Sequence, residues 1–516
     1  MSRPRHAVAA GHALVAEAAD EALRAGGSAV DACIAGALTA CVAEPVLASL
    51  LGGGFLMARD AKGRTKLLDF FVQTPRRPLP RDELDFRAAS ANFGEATQEF
   101  HIGAGAIATP GIAPGLIAAH QALGRMPLID LATPAAALAR KGAPLSAFQA
   151  SVFAIVLPIY TASPEAQALF LGGEAKAPAP GAILPNPDLA DVIETFAREG
   201  ARFMTEGEVA QALLALTADG GHLTADDLRR YAPRWRTPLR VTRGRAKISV
   251  SPPPALGGAL IAFALELAAH DALPAQMARA FEMTARARLD AAVDDNAAEG
   301  TRTLLSEQSL TMWRARLAGR PAATRGTTHI SVIDAQGNAA ALTLSNGEGC
   351  GLVARGTGLM PNNMLGESDL MPGGFHPVQA DIRLGSMMAP SVMEWDDGTV
   401  CALGSGGSNR IRTALAQVMA RLADGAGTLE SAVAAPRLHV ESQTADRERD
   451  IPDMQVDFED RLRDDHRAAL LNAYPKARAW AQDSMFFGGV HAVRRNPKGG
   501  VEAIGDPRRD GHALIG

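Results

Sequence analysis

The stretch that decides the fold is TTHISVIDAQGNAAALTLS, residues 327–345. It contains two strand-like runs, Thr328 to Asp334 and Ala339 to Ser345, which flank a turn at residues 335–338. The segment before it, residues 319–326, lacks apolar periodicity and is predicted to be an exposed linker. A hydroxyl residue therefore stands at the junction between a linker and a predicted hairpin.

That residue is Thr327, and its position predicts a nucleophile. Its Oγ can attack the carbonyl carbon of Gly326 to give an ester, and hydrolysis of the ester leaves Thr327 with a free α-amino group. An α-amino group has an unperturbed pKa of about 8. At neutral pH it can take the proton from the Oγ of the same residue. The alternative from these residues alone is an ordinary strand that begins with threonine.

Toward the N-terminus the pattern alternates between helices and strands. Strong helix formers from Ala13 to Ala25 stop at a glycine pair, and Ser28 can cap a second helix that runs to about Ala43. Two strands joined by a turn are predicted at Phe55 to Ala58 and at Lys66 to Phe71.

The middle of the chain, Pro114 to about Tyr231, is predicted to be mainly helical. Leu239 to Val250 alternates apolar and polar residues, and a helix over Gly258 to Ala269 follows. Residues 271–323 continue as helix before the periodicity fades. Because no fixed-period repeat occurs, a single α+β core built from both halves of the chain is the simplest architecture.

Composition and missing motifs exclude several classes of protein. Fifty-one basic and 56 acidic side chains give a net charge of -5, and no basic run is long enough to follow a nucleic-acid backbone. HExxH, paired CxxC, P-loop and GxSxG patterns are absent, so no metal and no cofactor are expected. The longest uncharged apolar stretch, Ala32 to Ala43, is too short to span a membrane. The N-terminus lacks a secretory pattern, so we expect a cytoplasmic protein.

Buried thiols rather than disulfides are expected for the four cysteines, Cys33, Cys41, Cys350 and Cys401.

The run TTHISVIDAQGN resembles the start of the small subunit of gamma-glutamyltranspeptidases, whose first threonine is the nucleophile. Ordered matches extend over most of the chain and include AGGSAVDACIA, LGGGF, SPPPALGGALI, NNML, SMMAPS, GSGGSNRI and the terminal GDPRRDG. The resemblance implies a four-layer αββα sandwich of the N-terminal nucleophile type. It also implies a precursor that cuts itself into a large part, residues 1–326, and a small part, residues 327–516, which stay together as one αββα domain.

The resemblance assigns further site residues by position. Gly406 and Gly407 fall in the glycine pair whose backbone N–H groups form the oxyanion hole. This sequence lacks the family's proline there, so the donors are either Gly406 and Gly407 or Gly407 and Ser408. Ser345 takes the place of a threonine whose hydroxyl supports the nucleophile. Two more positions are assigned to substrate binding: Asn346, which lies beside the family's asparagine, and Ser386, which matches a serine that holds the substrate carboxylate. His329 also matches the family and is either a catalyst or a packing residue.

Two departures from the family affect the substrate. The family motif Asp-Phe-Arg-Glu, whose arginine pairs with the α-carboxylate of the gamma-glutamyl group, reads Asp69-Phe70-Phe71-Val72 here. The family's Asn-Asn-Gln motif, which is followed by an aspartate that binds the α-amino group, reads Asn362-Asn363-Met364 here, and Glu367 lies near the place of that aspartate. Arg76, Arg77 and Arg383 are candidates to restore the positive charge, and Arg383 is preferred because it precedes Ser386 by three residues. The alternative is that Arg383 pairs with a surface acid such as Asp381.

These residues predict an amidohydrolase or acyltransferase that acts through an acyl-Thr327 ester. Its expected partners are a small amide donor and either water or an amine acceptor. Two alternatives stay open: a hydrolase of a non-glutamyl amide, of the oxamate or acylase type, and a catalytically silent, unprocessed member of the family.

Overall fold

The computed structural model describes residues 5–92, 97–293, 296–316, 327–371, 374–425, 427–442, 454–480 and 484–516. The strands of this part of the chain are β1 Ala7–Ala10, β2 Gly53–Arg59, β3 Thr65–Phe70, β4 Arg87–Asn92, β5 Thr97–Ile102, β6 Arg234–Arg236, β7 Leu239–Arg243, β8 Ala246–Val250, β9 Thr328–Ile333, β10 Ala339–Ser345, β11 Ser391–Trp395, β12 Val400–Gly406, β13 Leu438–Ser442, β14 Met454–Glu459, β15 Arg478–Trp480, β16 Gly489–Arg495, β17 Val501–Ile504 and β18 His512–Ile515.

The helices of the described residues fall into three groups along the chain. They are α1 Ala13–Arg24, α2 Ala29–Ala43, α3 Ile112–Leu123, α4 Leu128–Lys141, α5 Ala147–Ile155, α6 Leu157–Tyr160, α7 Pro164–Leu171, α8 Pro187–Glu199, α9 Ala201–Thr205, α10 Glu208–Leu216, α11 Ala225–Arg230, then α12 Leu256–Leu267, α13 Pro274–Asp290, α14 Ala297–Leu304, α15 Glu307–Arg316, and finally α16 Arg410–Ala423, α17 Leu429–Ala434 and α18 Asp464–Ala473.

Two antiparallel sheets form the centre of the molecule. The seven-stranded sheet has the order β18-β1-β9-β10-β2-β3-β6, and the six-stranded sheet has the order β17-β16-β12-β11-β8-β7. Every neighbouring pair in both sheets is antiparallel. Strands β9 and β10 lie between β1 and β2, so the chain after residue 326 is paired on both sides with strands from the N-terminal part.

The alternation of side chains along β9 explains how the layers pack. Ile330 and Val332 point to the same side as the apolar residues of α1 and α2 and join their core. Ile333 belongs to the core between the two sheets, together with Val490 of β16. Helices α12 and α16 cover the outer face of the six-stranded sheet and belong to that second core. The result is the four-layer αββα arrangement expected from the sequence.

Most local predictions match the structure, and one gains detail. Helix α2 begins at a capping box in which Ser28 accepts from the N–H of Asp31 and the Asp31 side chain accepts from the N–H of Ser28. The alternating stretch from Leu239 to Val250 is a hairpin, β7 and β8, rather than one strand. It turns at Gly244, whose φ of 56° suits glycine. The linker predicted at residues 319–326 lies outside the described residues.

All four cysteines are buried as free thiols, as the sequence predicts. Burial raises the pKa of Cys41, Cys350 and Cys401 to about 12 and raises that of Cys33 further. Within the described residues, no helix is both long and apolar enough to cross a membrane.

Candidate active site

Three strand ends meet at one edge of the sandwich. Thr327 directly precedes β9, and Ser345 ends β10, which runs antiparallel to β9 so that Leu344 lies opposite Thr328. Gly406 ends β12 in the other sheet, and a Cβ atom on it would overlap the carbonyl oxygen of Thr327. Glycine is therefore required where the two sheets approach each other beside Thr327.

A cavity of about 520 Å³ opens at this edge. A volume of this size is ordinary for a small-molecule site. Polar groups of the lining come from both sheets and from the loops between them, and much of the remainder is apolar. The polar lining includes Thr327, Ser345, Glu367, Asp369, Arg383, Ser386 and Ser408, and the apolar lining includes Phe71, Leu256, Met364, Leu370, Met371, Leu384, Met387, Met388 and Ile411.

Thr327 is 4% exposed, and its main-chain carbonyl is bound from the side away from the cavity. Nη1 of Arg509 donates to its carbonyl oxygen at 3.5 Å. The next residue, Thr328, donates its hydroxyl to both carboxylate oxygens of Glu44, at 3.1 and 3.0 Å. Burial raises the pKa of Glu44 to about 7, against the lowering effect of this hydrogen bond. Thr327, which directly precedes β9, therefore lines the cavity while contacts to its carbonyl and to Thr328 fix the main chain.

His329 is a packing residue. Its Nδ1 lies 2.8 Å from the hydroxyl of Thr343 and its Nε2 lies 2.9 Å from the hydroxyl of Ser331, so both ring nitrogens are engaged. The ring is fully buried beneath Gly404, where any Cβ would collide with it. Burial lowers its pKa well below the usual value, so the ring is neutral. Of the two interpretations of this histidine, the structure favours packing.

Ser345 and Asn346 have different surroundings. Ser345 lines the cavity, and its hydroxyl accepts from the N–H of Gly347 at 3.1 Å. Asn346 is fully buried, and its Nδ2 donates to the carbonyl of Met360 at 3.2 Å. It is not among the described residues that line the cavity. The substrate-binding role of Asn346 stays a prediction, whereas its contact with Met360 is structural.

The loop after β12 presents backbone donors. Gly407 has a φ of 118° and Ser408 a φ of 45°, and their carbonyl groups accept from the first N–H groups of α16. Within the described part of the chain, neither the N–H of Gly407 nor the N–H of Ser408 has a hydrogen-bond partner. Two adjacent N–H groups at the start of a helix make a local site for negative charge.

Arg383 lines the cavity, but its guanidinium is already engaged. Nη1 donates to Oδ1 of Asp69 at 2.8 Å and to the Asp69 carbonyl at 3.0 Å, and Nη2 donates to the carbonyl of Ala232 at 2.8 Å. The alternative pairing with Asp381 is wrong, because Asp381 pairs with Arg76 at 2.9 Å. A role for Arg383 in binding a substrate carboxylate stays a prediction.

The other predicted binding residues, Glu367 and Ser386, both lie in the cavity wall. The hydroxyl of Ser386 accepts from the N–H of Met388 at 3.1 Å, and its carbonyl accepts from the first N–H groups of α12. The structure therefore gathers Thr327, Ser345, Glu367, Arg383 and Ser386 around one cavity. Gly326 lies outside the described residues.

Comparison of the sequence with known protein families identifies the family of this chain. The sequence model described as gamma-glutamyltranspeptidase matches residues 15–516. The chain belongs to the gamma-glutamyltranspeptidase family. It is therefore an amidohydrolase or acyltransferase of the N-terminal nucleophile type.

Individual relatives of this gamma-glutamyltranspeptidase-family chain carry two kinds of name. "Acylase ACY 1 proenzyme" of Pseudomonas sp. (strain V22) is 28% identical over 98% of this chain and 93% of its own length. "Glutathione hydrolase proenzyme" of Pseudomonas aeruginosa is 30% identical over 84% of this chain and 82% of its own length. Among solved structures, a cephalosporin acylase from Bacillus halodurans matches with a TM-score of 0.79 at 21% identity, over 99% of this chain and 96% of that one. Both curated relatives are named as proenzymes.

In this family member, a buried charged cluster adjoins Arg509, which contacts the Thr327 carbonyl, and this cluster was not identified from the sequence. Its core is Arg508, which binds Glu459 through two nitrogens at 2.6 and 2.8 Å and Asp506 at 3.1 Å. Arg437 pairs with the other oxygen of Asp506 at 2.5 Å. Burial alone would raise the pKa of Asp506, but the two guanidinium groups hold it below its usual value. The terminal GDPRRDG motif was the available signal, but its partner Glu459 is distant in sequence.

Proposed function

We propose that this chain matures by cutting itself between Gly326 and Thr327, and that the mature enzyme transfers the acyl group of a small amide to water or an amine through an ester on Thr327. The observation that carries the proposal is that Thr327 and Ser408 line the same cavity and that, in the part of the chain that the structure describes, the N–H groups of Gly407 and Ser408 lack a hydrogen-bond partner. A nucleophile, a site for the negative oxygen and space for a substrate are the parts this reaction needs.

In the first half-reaction, the Oγ of Thr327 attacks the carbonyl carbon of the substrate amide. The α-amino group freed by cleavage takes the proton from Oγ and later gives it to the leaving amine. The negative charge that develops on the carbonyl oxygen is stabilised by backbone N–H groups. Of the two donor pairs that the sequence allowed, we propose Gly407 and Ser408, because both N–H groups lack a partner.

In the second half-reaction, water or an amine attacks the acyl-Thr327 ester, and the same α-amino group accepts the proton of the attacking molecule. The acid or the new amide then leaves with the acyl group, and Thr327 regains its proton. Ser345 lies beside the nucleophile in the cavity wall and is proposed to donate a hydrogen bond that orients Oγ.

The sheet order supports the proposal that the two parts, residues 1–326 and 327–516, stay together after cleavage. Strand β9 pairs with β1 and β10 pairs with β2, so the small part is inserted in the middle of a sheet from the large part. Separation would expose these unpaired strands and the core on both faces.

Gel electrophoresis of freshly purified protein tests the proposal. One band should convert to two without added protease, and N-terminal sequencing of the smaller product should begin Thr-Thr-His. Thr327→Ala removes the attacking oxygen and should stay one inactive chain, whereas Thr327→Ser keeps an oxygen and should still cut. A wild-type chain that remains full length while fully active would refute the maturation step. An uncut, inactive chain would favour the silent alternative.

A further inference from the structure

One wall of the cavity is lined by buried apolar side chains. Phe71 is 1% exposed, and its ring stacks on Phe55 with ring centroids 5.5 Å apart, which favours its position in the cavity wall. The lining continues with Leu256, Met364, Leu384, Met387 and Met388, all of them buried. An acyl chain that reaches this wall from Thr327 would exchange water for apolar contacts.

The charged groups of the wall do not favour an anion. Among the described residues that line the cavity, the charged ones are Glu367, Asp369 and Arg383. The guanidinium of Arg383 is neutralised by Asp69, which is fully buried, and its planar face lies 4.7 Å from the centre of the Tyr231 ring. A substrate carboxylate here would compete with Asp69 for Arg383 and would face two further carboxylates.

We infer that the acyl group of the natural substrate is an apolar chain without a carboxylate. This inference rests on the proposed function, since it concerns the acyl group that Thr327 carries. It makes Phe71 the residue that determines specificity: its ring occupies the wall where a cation would be needed to bind a carboxylated acyl group such as gamma-glutamyl or glutaryl.

A panel of p-nitroanilides tests the inference on the wild-type enzyme. Butanoyl, hexanoyl and octanoyl anilides probe the apolar wall, and glutaryl and gamma-glutamyl anilides carry a carboxylate on a chain of similar length. We expect kcat/KM for hexanoyl to exceed that for glutaryl by tenfold or more. Between butanoyl and hexanoyl, each added methylene should raise kcat/KM roughly threefold to fourfold. Equal or faster turnover of either carboxylated anilide would overturn the inference.

Replacing Phe71 supplies the matched variants. Phe71→Arg introduces a cation into the wall and should raise kcat/KM for the glutaryl anilide at least tenfold while that for hexanoyl falls. Phe71→Leu removes the ring without adding charge and should not improve glutaryl turnover. If Phe71→Arg does not fold, Met387→Lys places a cation in the same wall and is expected to shift selectivity in the same direction. A glutaryl gain in Phe71→Leu equal to that in Phe71→Arg would mean that space, not charge, sets the preference.

Failure of the inference and failure of the proposed function have different signatures. A chain that does not cut itself, or that cuts itself but turns over no anilide of the panel, contradicts the proposed function, whereas a processed enzyme that prefers the glutaryl or gamma-glutamyl anilide contradicts the inference. Calorimetric titration of hexanoyl and glutaryl anilides into the wild-type chain, cut or uncut, ranks their affinities without turnover. Tighter binding of the glutaryl compound would overturn the inference in either case.

Discussion

Thr327 separates two regions of opposite character. Behind its main chain, buried charges satisfy each other: Arg508 binds Glu459 and Asp506, and Arg509 contacts the Thr327 carbonyl. In front of its side chain, the cavity combines an apolar wall with Ser408, whose N–H group, like that of the neighbouring Gly407, has no partner in the described structure. The difference indicates a division of roles, in which the rear cluster holds the fold and the front leaves polar groups available to the substrate.

That division predicts that changes behind Thr327 lower stability, whereas changes in front lower turnover. The largest effect is expected for Arg508→Met, because it removes the buried guanidinium that Glu459 and Asp506 share and leaves Asp506 with Arg437 and Glu459 with the less buried Arg461. The free energy of unfolding should fall by about 3 to 5 kcal/mol, measured by urea denaturation. Arg463→Met, at an exposed ion pair, is the control and should change stability little. Normal stability with lost turnover would break the comparison.

The second prediction concerns Glu44→Gln, on the side of Thr327 away from the cavity. Burial raises the pKa of Glu44 from 4.5 to about 7. Because the folded state holds this proton more tightly, its contribution to stability is complete below pH 4.5 and is lost as pH rises to about 7. Glu44→Gln should remove this loss. The variant should gain up to roughly 3 kcal/mol over wild type between pH 4.5 and pH 8, measured by denaturation at each pH. The exposed Glu17→Gln should show no such gain, and a gain independent of pH would mean that Glu44 ionises normally.

The third prediction concerns removal of the N–H group of Ser408, on the cavity side of Thr327. Gly407→Pro is unsuitable, since proline fixes φ near -65° and Gly407 has a φ of 118°. Replacing Ser408 by its α-hydroxy-acid analogue deletes only the N–H, and kcat should fall about a hundredfold with the unfolding midpoint nearly unchanged. Ser408→Ala keeps the N–H and should retain most activity. Full turnover in the ester variant would place the oxyanion site elsewhere.

The smallest expected effect is at Ser345, whose hydroxyl lies in the cavity wall. Because a hydrogen bond contributes about 1 kcal/mol net, Ser345→Ala should lower kcat several-fold. This is measured with the anilide that the wild-type enzyme turns over fastest. Ser345→Thr keeps a hydroxyl and should restore activity. A loss of stability without a loss of turnover would assign Ser345 to the structural side of the comparison.

Local chemistry was predictable from the sequence, whereas long-range pairing was not. Ser28 and Asp31 lie three residues apart, so the cap of α2 depends on a local pattern, and the strand-like run Ala339 to Ser345 after a turn predicts β10. The contact between Arg383 and Asp69 joins residues 314 apart, and no local pattern distinguishes Asp69 from Asp381 as the partner.

The same limit applies to the site. The linker and strand pattern singled out Thr327, and the glycine run located the loop after β12. Which N–H groups lack a partner depends on the backbone turn at Gly407 and Ser408, which composition does not specify. No local pattern singles out Glu44, because its burial against Thr328 arises only when β9 is inserted beside β1.

The four buried thiols have a practical consequence for experiments on this enzyme. Their raised pKa values and lack of exposure make them unreactive toward maleimides and iodoacetamide at neutral pH. The folded protein therefore behaves as a cysteine-free background without any substitution. A single cysteine placed at exposed Lys498 would therefore be the position that thiol reagents label. A fluorophore there would mark the small part, residues 327–516, without modifying Thr327.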